Sequence, residues 1–350
     1  MRGAVLAKLK FLVGSYADQA TQGIYRVLLP ERSMEKAEVT LFAPARNPSW
    51  ISLSPDQSVL LAVEEIGVED RPHLLRYECA TGNGFGPAEA LLPGSHPCHI
   101  GMHPFLPLAV TSQYGDGSAM LWHYGMPGTG PQLLQHIRYS GTGPNLKRQA
   151  ASHAHFSIFL EEGLCLAVID LGGDAVHFYD LDPSGFNLVP RQSLSLNPGC
   201  GPRHLAGANE TLYIAGELDE RVYEVKKSSG RYEVVAVHAA FGDGVNDGSV
   251  SAIRTSIDGR YLYVAGRRQN AIAWMAIGEA GKLTPRGQVA CGGEMPRDFA
   301  FDATGRLMLV ANQGSDALSV FEMNTETGQP LKLDGKIEIP RPSCIAVLRL

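Results

Sequence analysis

The 350-residue sequence predicts an all-β protein: a seven-bladed β-propeller with four-stranded antiparallel blades, its ring closed by N- and C-terminal strands in one blade. Three observations predict it. A repeat recurs about every 45 to 55 residues, each copy holds short apolar stretches cut by turn residues, and the two chain ends carry complementary fragments of one copy.

Copies of the repeat begin at Pro48, Pro97, His153, Pro202, Ser251 and Pro296, with a last start at Pro342. The segment PRHLAGANETLYIAGELDERVYEVK from Pro202 can be laid over SAIRTSIDGRYLYVAGRRQNAIAWMAI from Ser251 and PRDFAFDATGRLMLVANQGSDALSVFEM from Pro296. Stretches such as YLYVA (261–265) and LMLVA (307–311) are too short for helices and run straight into Gly, Asn or Asp, which marks them as strands. Several antiparallel strands per unit, radially repeated, make a propeller blade, and burial of both faces explains the nearly continuous apolar runs. The unit at 342–350 (PSCIAVLRL) supplies one strand only. Segments 10–16 (KFLVGSY), 23–29 (GIYRVLL) and 37–42 supply the second, third and fourth, so residues 1–350 form one propeller without a free edge.

Composition agrees with a soluble globular chain. The 39 Gly and 22 Pro punctuate hairpins, and 30 basic against 36 acidic residues, net charge −6, provide no footprint for nucleic acid. No run of 18 apolar residues predicts a membrane helix. Lys8 and Lys10 interrupt any leader-like core at the N-terminus, which reads as folded protein. Six scattered cysteines without a metal or CxxC spacing read as reduced thiols in a cytoplasmic protein, expected as a monomer or weak homo-oligomer.

In an antiparallel pair the start of one strand lies beside the end of the next, and radial stacking gathers these ends at one mouth of the ring. First-strand starts carry Cys98-His99, His153-Ala154-His155, Arg203-His204, Ala252 and Arg297; second-strand ends carry Glu64-Glu65, Gln113-Tyr114, Asp170, Glu217, Arg267-Arg268 and Asn312-Gln313. The opposite turns, such as Ser54-Pro55-Asp56 and Ile257-Asp258-Gly259, are generic turn chemistry, so one face is expected to be rich and the other bland. Alternation puts His153 and His155 on one side of a strand. No second histidine pair accompanies them and arginines crowd the mouth, so no metal is expected. Arg203, Arg267 and Arg297, in successive blades, must face carboxylates or an anionic ligand, for which the planar guanidinium is suited. Glu217 is either a general base or the arginines' counter-charge. The long connection 141–152 (GTGPNLKRQAAS) brings Lys147, Arg148 and Gln149 to the mouth, whereas 241–248 (FGDGVNDG) lacks the following helix of a phosphate loop.

The motifs GTGPNLKRQ…HAH, VIDLGGD, GPRHL…GEL, DGRYLYVAGRR and MPRDF…ANQGSD, in this order, resemble the lactonase family of seven-bladed propellers. That family includes bacterial 6-phosphogluconolactonases of the propeller type and fungal carboxy-muconate lactonizing enzymes. The resemblance implies a hydrolase for an anionic sugar lactone, in carbohydrate metabolism, that needs no cofactor. It also leaves room for a lactonizing cycloisomerase (an isomerase) acting on a small anionic carboxylate, or for a non-catalytic propeller binding a metabolite or protein. Its implied catalytic group is His153 or His155, Arg203, Glu217 and Arg267; the placement of strand ends and of the 141–152 connection at the mouth adds Arg148, Gln149, His204, Arg297, Gln313, Glu65 and Tyr114 as expected substrate contacts. The chain departs from the family pattern at Ala150 and Ala252, where an acid is expected, and at Glu64, Gly216 and Gly266, where Asn is expected.

Overall fold

Glycine, asparagine and aspartate at the chain reversals cut the apolar stretches into short strands. The computed structural model, which describes residues 9–16, 22–30, 34–79, 88–126, 128–242 and 248–349, pairs those strands into seven sheets. The first blade runs outward from Ile51–Leu53 through Val59–Val63 and His73–Glu78 to Ala88–Leu91. The second to fifth blades begin at the innermost strands Pro97–Met102, Ala154–Leu160, Pro202–Ala208 and Val250–Thr255, and each adds three strands in sequence order. In the sixth, which begins at Pro296–Phe301, the outer position is split between Pro330–Lys332 and Ile337–Glu338. The seventh takes its innermost strand, Pro342–Leu348, from the C-terminus and the other three, Leu9–Ser15, Gly23–Leu29 and Glu38–Pro44, from the N-terminal region.

Closure in one blade is therefore as expected. Leu9–Ser15 is paired on both edges, with Phe11 opposite Val27 on one side and Val347 on the other. Four of the seven innermost strands open on proline (Pro97, Pro202, Pro296 and Pro342), which an edge strand tolerates because its missing N–H faces away from the ladder.

The core is not central. Seven apolar clusters, one between each pair of neighbouring blades, hold the ring together. Second strands lie between two such clusters, so Val59–Val63 and Leu307–Asn312 are buried at every residue, which accounts for their unbroken apolar sequence. Outer strands face solvent on one side, and Arg231–Ala239 alternates accordingly. Among the described residues no helix is long and apolar enough to cross a membrane. All six cysteines are unpaired, Cys79 half-buried and the others buried.

Candidate active site

The mouth is built by a repeated irregularity. In six of the seven blades the innermost strand carries an extra residue near its start: Cys98, His155, Arg203, one of Ser251 and Ala252, Arg297, and Ser343. A bulge kinks the strand and re-aims a side chain that regular alternation would bury against a neighbouring blade. His155, Arg203 and Arg297 owe their place at the mouth to this device, whereas the Cys98 thiol turns to the Ala154 and His155 carbonyls of the next blade.

Glu217 is the centre of one side. Its carboxylate is completely buried, and three guanidiniums converge on it: Arg148 Nη2 at 2.7 Å and Arg267 Nη2 at 2.9 Å on Oε1, and Arg203 Nη1 at 2.8 Å on Oε2. Burial alone would raise this carboxyl; the charges of Arg267, Arg203 and Arg148 overwhelm that penalty and hold it well below the carboxylate range. Of the two readings open for Glu217, the three guanidiniums on its carboxylate favour counter-charge. Three guanidiniums on one carboxylate leave two positive charges in excess. Burial, reinforced by Arg267 and Arg297 and opposed by Glu217, pushes Arg203 down to about 10. Arg203 Nε is fixed by the Ser251 carbonyl (2.9 Å) and Arg267 Nε by that of Ser249 (3.2 Å).

The bulge breaks the alternation of His153 and His155, yet both rings still meet Tyr114, His155 standing edge-on to it at 5.8 Å. His155 is buried, its Nε2 accepts from Arg203 Nη1, and its Nδ1 has no partner among the described residues. Burial, then the Arg203 charge, hold this imidazole well below its ordinary range. His153 precedes the strand. Its ring stacks on Tyr114 (4.4 Å between centroids), its Nδ1 lies 2.6 Å from the Tyr114 carbonyl, and its backbone N–H donates to Asp170 Oδ1 (2.8 Å). Nδ1 must carry the proton to bond a carbonyl, which leaves the Nε2 lone pair available. Tyr114 OH also accepts from Arg148 Nε at 3.4 Å.

Deeper in the ring, His204 meets Phe156 (4.8 Å), Trp50 (5.5 Å) and His99 (6.0 Å), while His99 packs on Trp50 (4.3 Å) and Phe156 (4.0 Å). These rings come from the first four blades and span the central channel. His204 is thus part of a buried aromatic floor, and burial pushes both it and His99 well down.

The other side of the rim joins Arg297, Glu65 and a residue that sequence reasoning missed, Tyr16. Tyr16 OH donates to Glu65 Oε2 (2.6 Å) and accepts from Arg297 Nη2, whose guanidinium also lies 4.7 Å over the Tyr16 ring. Burial raises the Tyr16 hydroxyl well above its usual range, so it keeps its proton. The signal was available: Tyr16 directly follows the second strand of the seventh blade, the position held by Glu217 in the fourth. Gln313, at the matching position of the sixth, has a buried Oε1 without a partner among the described residues.

Gln149 does not reach the mouth. It is wholly buried, and its amide donates to the Leu171 carbonyl (3.0 Å) and Asp174 Oδ1 (2.7 Å), folding the 141–152 connection so that Arg148 projects. Nor is the opposite face bland: between turns of the third, fourth and fifth blades lies a cleft of about 840 Å³ bordered by Glu161, Lys227 and Tyr232. Most of 241–248 lies outside the described residues. At Gly216 and Gly266 neighbouring side chains occupy the space of a larger residue, for a Cβ would stand 2.1 Å from Asp219 Oδ1 and 2.4 Å from Gln269 Oε1. Gln269 instead accepts from Ser249 Oγ (2.7 Å), beside the carbonyl that fixes Arg267.

A closed seven-bladed ring with a buried aromatic cluster beneath an arginine-rich mouth defines the class of this chain as a seven-bladed β-propeller. Residues 10–347 match the family model described as lactonase, 7-bladed beta-propeller, and the chain belongs to that family. It is 28% identical to a 6-phosphogluconolactonase of Bacillus subtilis, covering 96% of this chain and 97% of that one, and 27% identical to a 6-phosphogluconolactonase of Formosa agariphila, covering 93% and 96%. Among solved structures it resembles a protein from Lactobacillus plantarum (TM-score 0.89, 26% identity, 98% of this chain and 100% of that one). It also resembles the Pseudomonas aeruginosa periplasmic gluconolactonase PpgL (TM-score 0.88, 25% identity, 98% and 99%).

Proposed function

We propose that the protein is a lactone hydrolase acting on an anionic sugar lactone of the 6-phosphogluconolactone type. The observation that carries this reading is the gathering of Arg148, Arg203 and Arg267 on the single buried carboxylate of Glu217. That carboxylate orients the guanidiniums without cancelling them, and each keeps a terminal nitrogen with no partner among the described residues. Phosphate or carboxylate oxygens suit such planar donors. The names of the Bacillus and Formosa relatives support the same substrate class.

In this reading His153 is the base. Its Nδ1–H is held by the Tyr114 carbonyl, so Nε2 takes a proton from the water that attacks the ring carbonyl. Arg203, held from two directions, stabilises the oxygen that gains charge as the carbonyl becomes tetrahedral. The ring C–O bond then breaks, and the proton returns to the departing ring oxygen to give the open hydroxy acid. Arg148 and Arg267 hold the remote anion.

The test is a stopped-flow assay with freshly generated 6-phosphogluconolactone, corrected for spontaneous opening, alongside carboxy-muconate. Turnover of the first above background, and its loss in Arg203→Ala with folding intact, is the expected outcome. Turnover of the muconate alone would replace hydrolysis by cycloisomerisation, and turnover of neither alongside tight ligand binding would make the protein a binding propeller.

A further inference from the structure

We propose that the rim formed by Arg297, Tyr16 and Glu65 is a hydroxyl-recognition subsite that takes the polyol part of the ligand, while the arginines on Glu217 take its anion. The proposal rests on the lactone-hydrolase reading above and reassigns Arg297, which the sequence groups with the anion-binding arginines.

Charge separates the two sides. The guanidiniums around Glu217 carry two positive charges in excess, whereas Arg297 faces one carboxylate, Glu65 Oε2, at 3.9 Å with the Tyr16 hydroxyl between them. Arg341, also over the Tyr16 ring at 5.6 Å, is engaged in a further contact of its own. Arg297 and Glu65 thus form a balanced pair, and an anion brought to it gains from Arg297 what it loses to Glu65. A hydroxyl group differs because it donates and accepts at once. It is satisfied best where a carboxylate with a spare oxygen stands beside a guanidinium with spare N–H groups.

That is the arrangement here. Glu65 uses Oε2 for Tyr16 and Arg297, leaving Oε1 without a partner among the described residues; Arg297 uses Nη2, leaving Nε and Nη1. Both side chains are partly open, 17% for Arg297 and 16% for Glu65. Tyr16 keeps its proton, so Glu65 Oε2 is permanently engaged and Oε1 faces the ligand as an acceptor. The unpartnered amide oxygen of Gln313 belongs to the same stretch of rim. Three blades supply the subsite (sixth, seventh and first), and the anion side comes from the third, fourth and fifth together with the 141–152 connection. The ligand therefore lies across the mouth, anion at one side and hydroxyls at the other. A site built to bond a hydroxyl rejects an analogue that lacks it, because its own polar groups are left unpaired.

The test compares binding of 6-phosphogluconate, its 2-deoxy and 3-deoxy analogues and inorganic phosphate by calorimetry, in wild type, Glu65→Gln and Tyr16→Phe. Wild type is expected to bind the parent about 10²-fold more tightly than at least one deoxy analogue. Both variants are expected to reduce that ratio to within about 3-fold while phosphate affinity stays within about 2-fold. Glu65→Gln preserves shape and Tyr16→Phe keeps the ring under Arg297, and a melting curve for each reports folding. An unchanged ratio in both folded variants, or a phosphate affinity that falls in step with the sugar acid, overturns the subsite. Absence of phosphate binding together with absence of lactone turnover overturns the function reading instead. Gluconate alone then decides the subsite: weaker binding to Glu65→Gln supports it, and equal binding to both proteins overturns it.

Discussion

Arg203 and Glu217 lie fourteen residues apart in sequence and meet at 2.8 Å, both buried, because Arg203 is the extra residue of a bulge whose partner strand ends just before Glu217. The pair is an anchor, and its loss has two consequences. Removing one partner of a buried ion pair costs about 3–5 kcal/mol, since the other charge stays behind unpaired. Glu217→Ala should lose stability of that order in urea denaturation. Glu217→Gln, which keeps the shape, should lower kcat/KM by at least about 10²-fold through disordered arginines. A folded Glu217→Gln enzyme with wild-type kcat/KM would remove the anchor from the mechanism.

His153 is expected to carry the proton transfer. His153→Ala should lower kcat by about 10²- to 10⁴-fold with a small change in KM, since the guanidiniums that hold the anion stay fixed by Glu217, Ser249 and Ser251. His155→Ala should instead weaken Arg203, whose Nη1 it accepts, and reduce stability and activity together. If His155→Ala alone abolished turnover and His153→Ala left it intact, the roles would be exchanged.

The buried imidazoles fix how stability varies with pH. His99, His103, His155 and His204 are 4%, 3%, 4% and 3% exposed, and burial lowers each of them, favouring the neutral ring in the fold. In the unfolded chain they take up protons near pH 6.5. Below that pH the unfolded state binds more protons than the native one, so stability falls as pH falls, by up to about 1.4 kcal/mol per pH unit for each histidine. Urea midpoints between pH 7.5 and 5 should drop steeply below 6.5, and His204→Phe, which keeps a ring against Phe156, should flatten the slope by about a quarter. A stability constant over this interval would mean that these rings accept protons inside the fold.

Most of the fold was legible because a propeller writes itself into sequence as a period. Each blade must bury both faces, so YLYVA (261–265) and LMLVA (307–311) read as strands, and the unmatched ends imply closure. The mouth was legible only as a list of strand ends. Strict alternation pairs His153 with His155, whereas a bulge, which no local residue pattern announces, turns His155 toward Arg203 and edge-on to Tyr114 while His153 stacks on the Tyr114 face. Gln149 beside Arg148 looked like a second contact, and its burial against Asp174 depends on a neighbouring hairpin far away in sequence. Tyr16 closes the segment 10–16 that the sequence already supplies as the second strand of the terminal blade, the position of Glu217 in the fourth, but as an uncharged aromatic at a strand end it does not stand out from a core residue.

With the proposed subsite at Tyr16, assembly of the terminal blade from both chain ends would couple ligand binding to ring closure. Tyr16 extends the strand Leu9–Ser15, and its backbone N–H donates to the Arg341 carbonyl (3.1 Å), just ahead of Pro342–Leu348. Phe11 in the closing strand is fully buried, so Phe11→Ala should cost about 3–5 kcal/mol. A ligand that holds Tyr16 through Arg297 and Glu65 binds only the closed ring, and at 100 times its Kd should restore about 2.7 kcal/mol. Hydrogen exchange in Leu9–Ser15 and Pro342–Leu348 should accordingly slow by about 100-fold in the Phe11→Ala variant when saturated with 6-phosphogluconate. Slowing confined to the third to fifth blades would show that the ligand does not reach across the mouth to the closing blade.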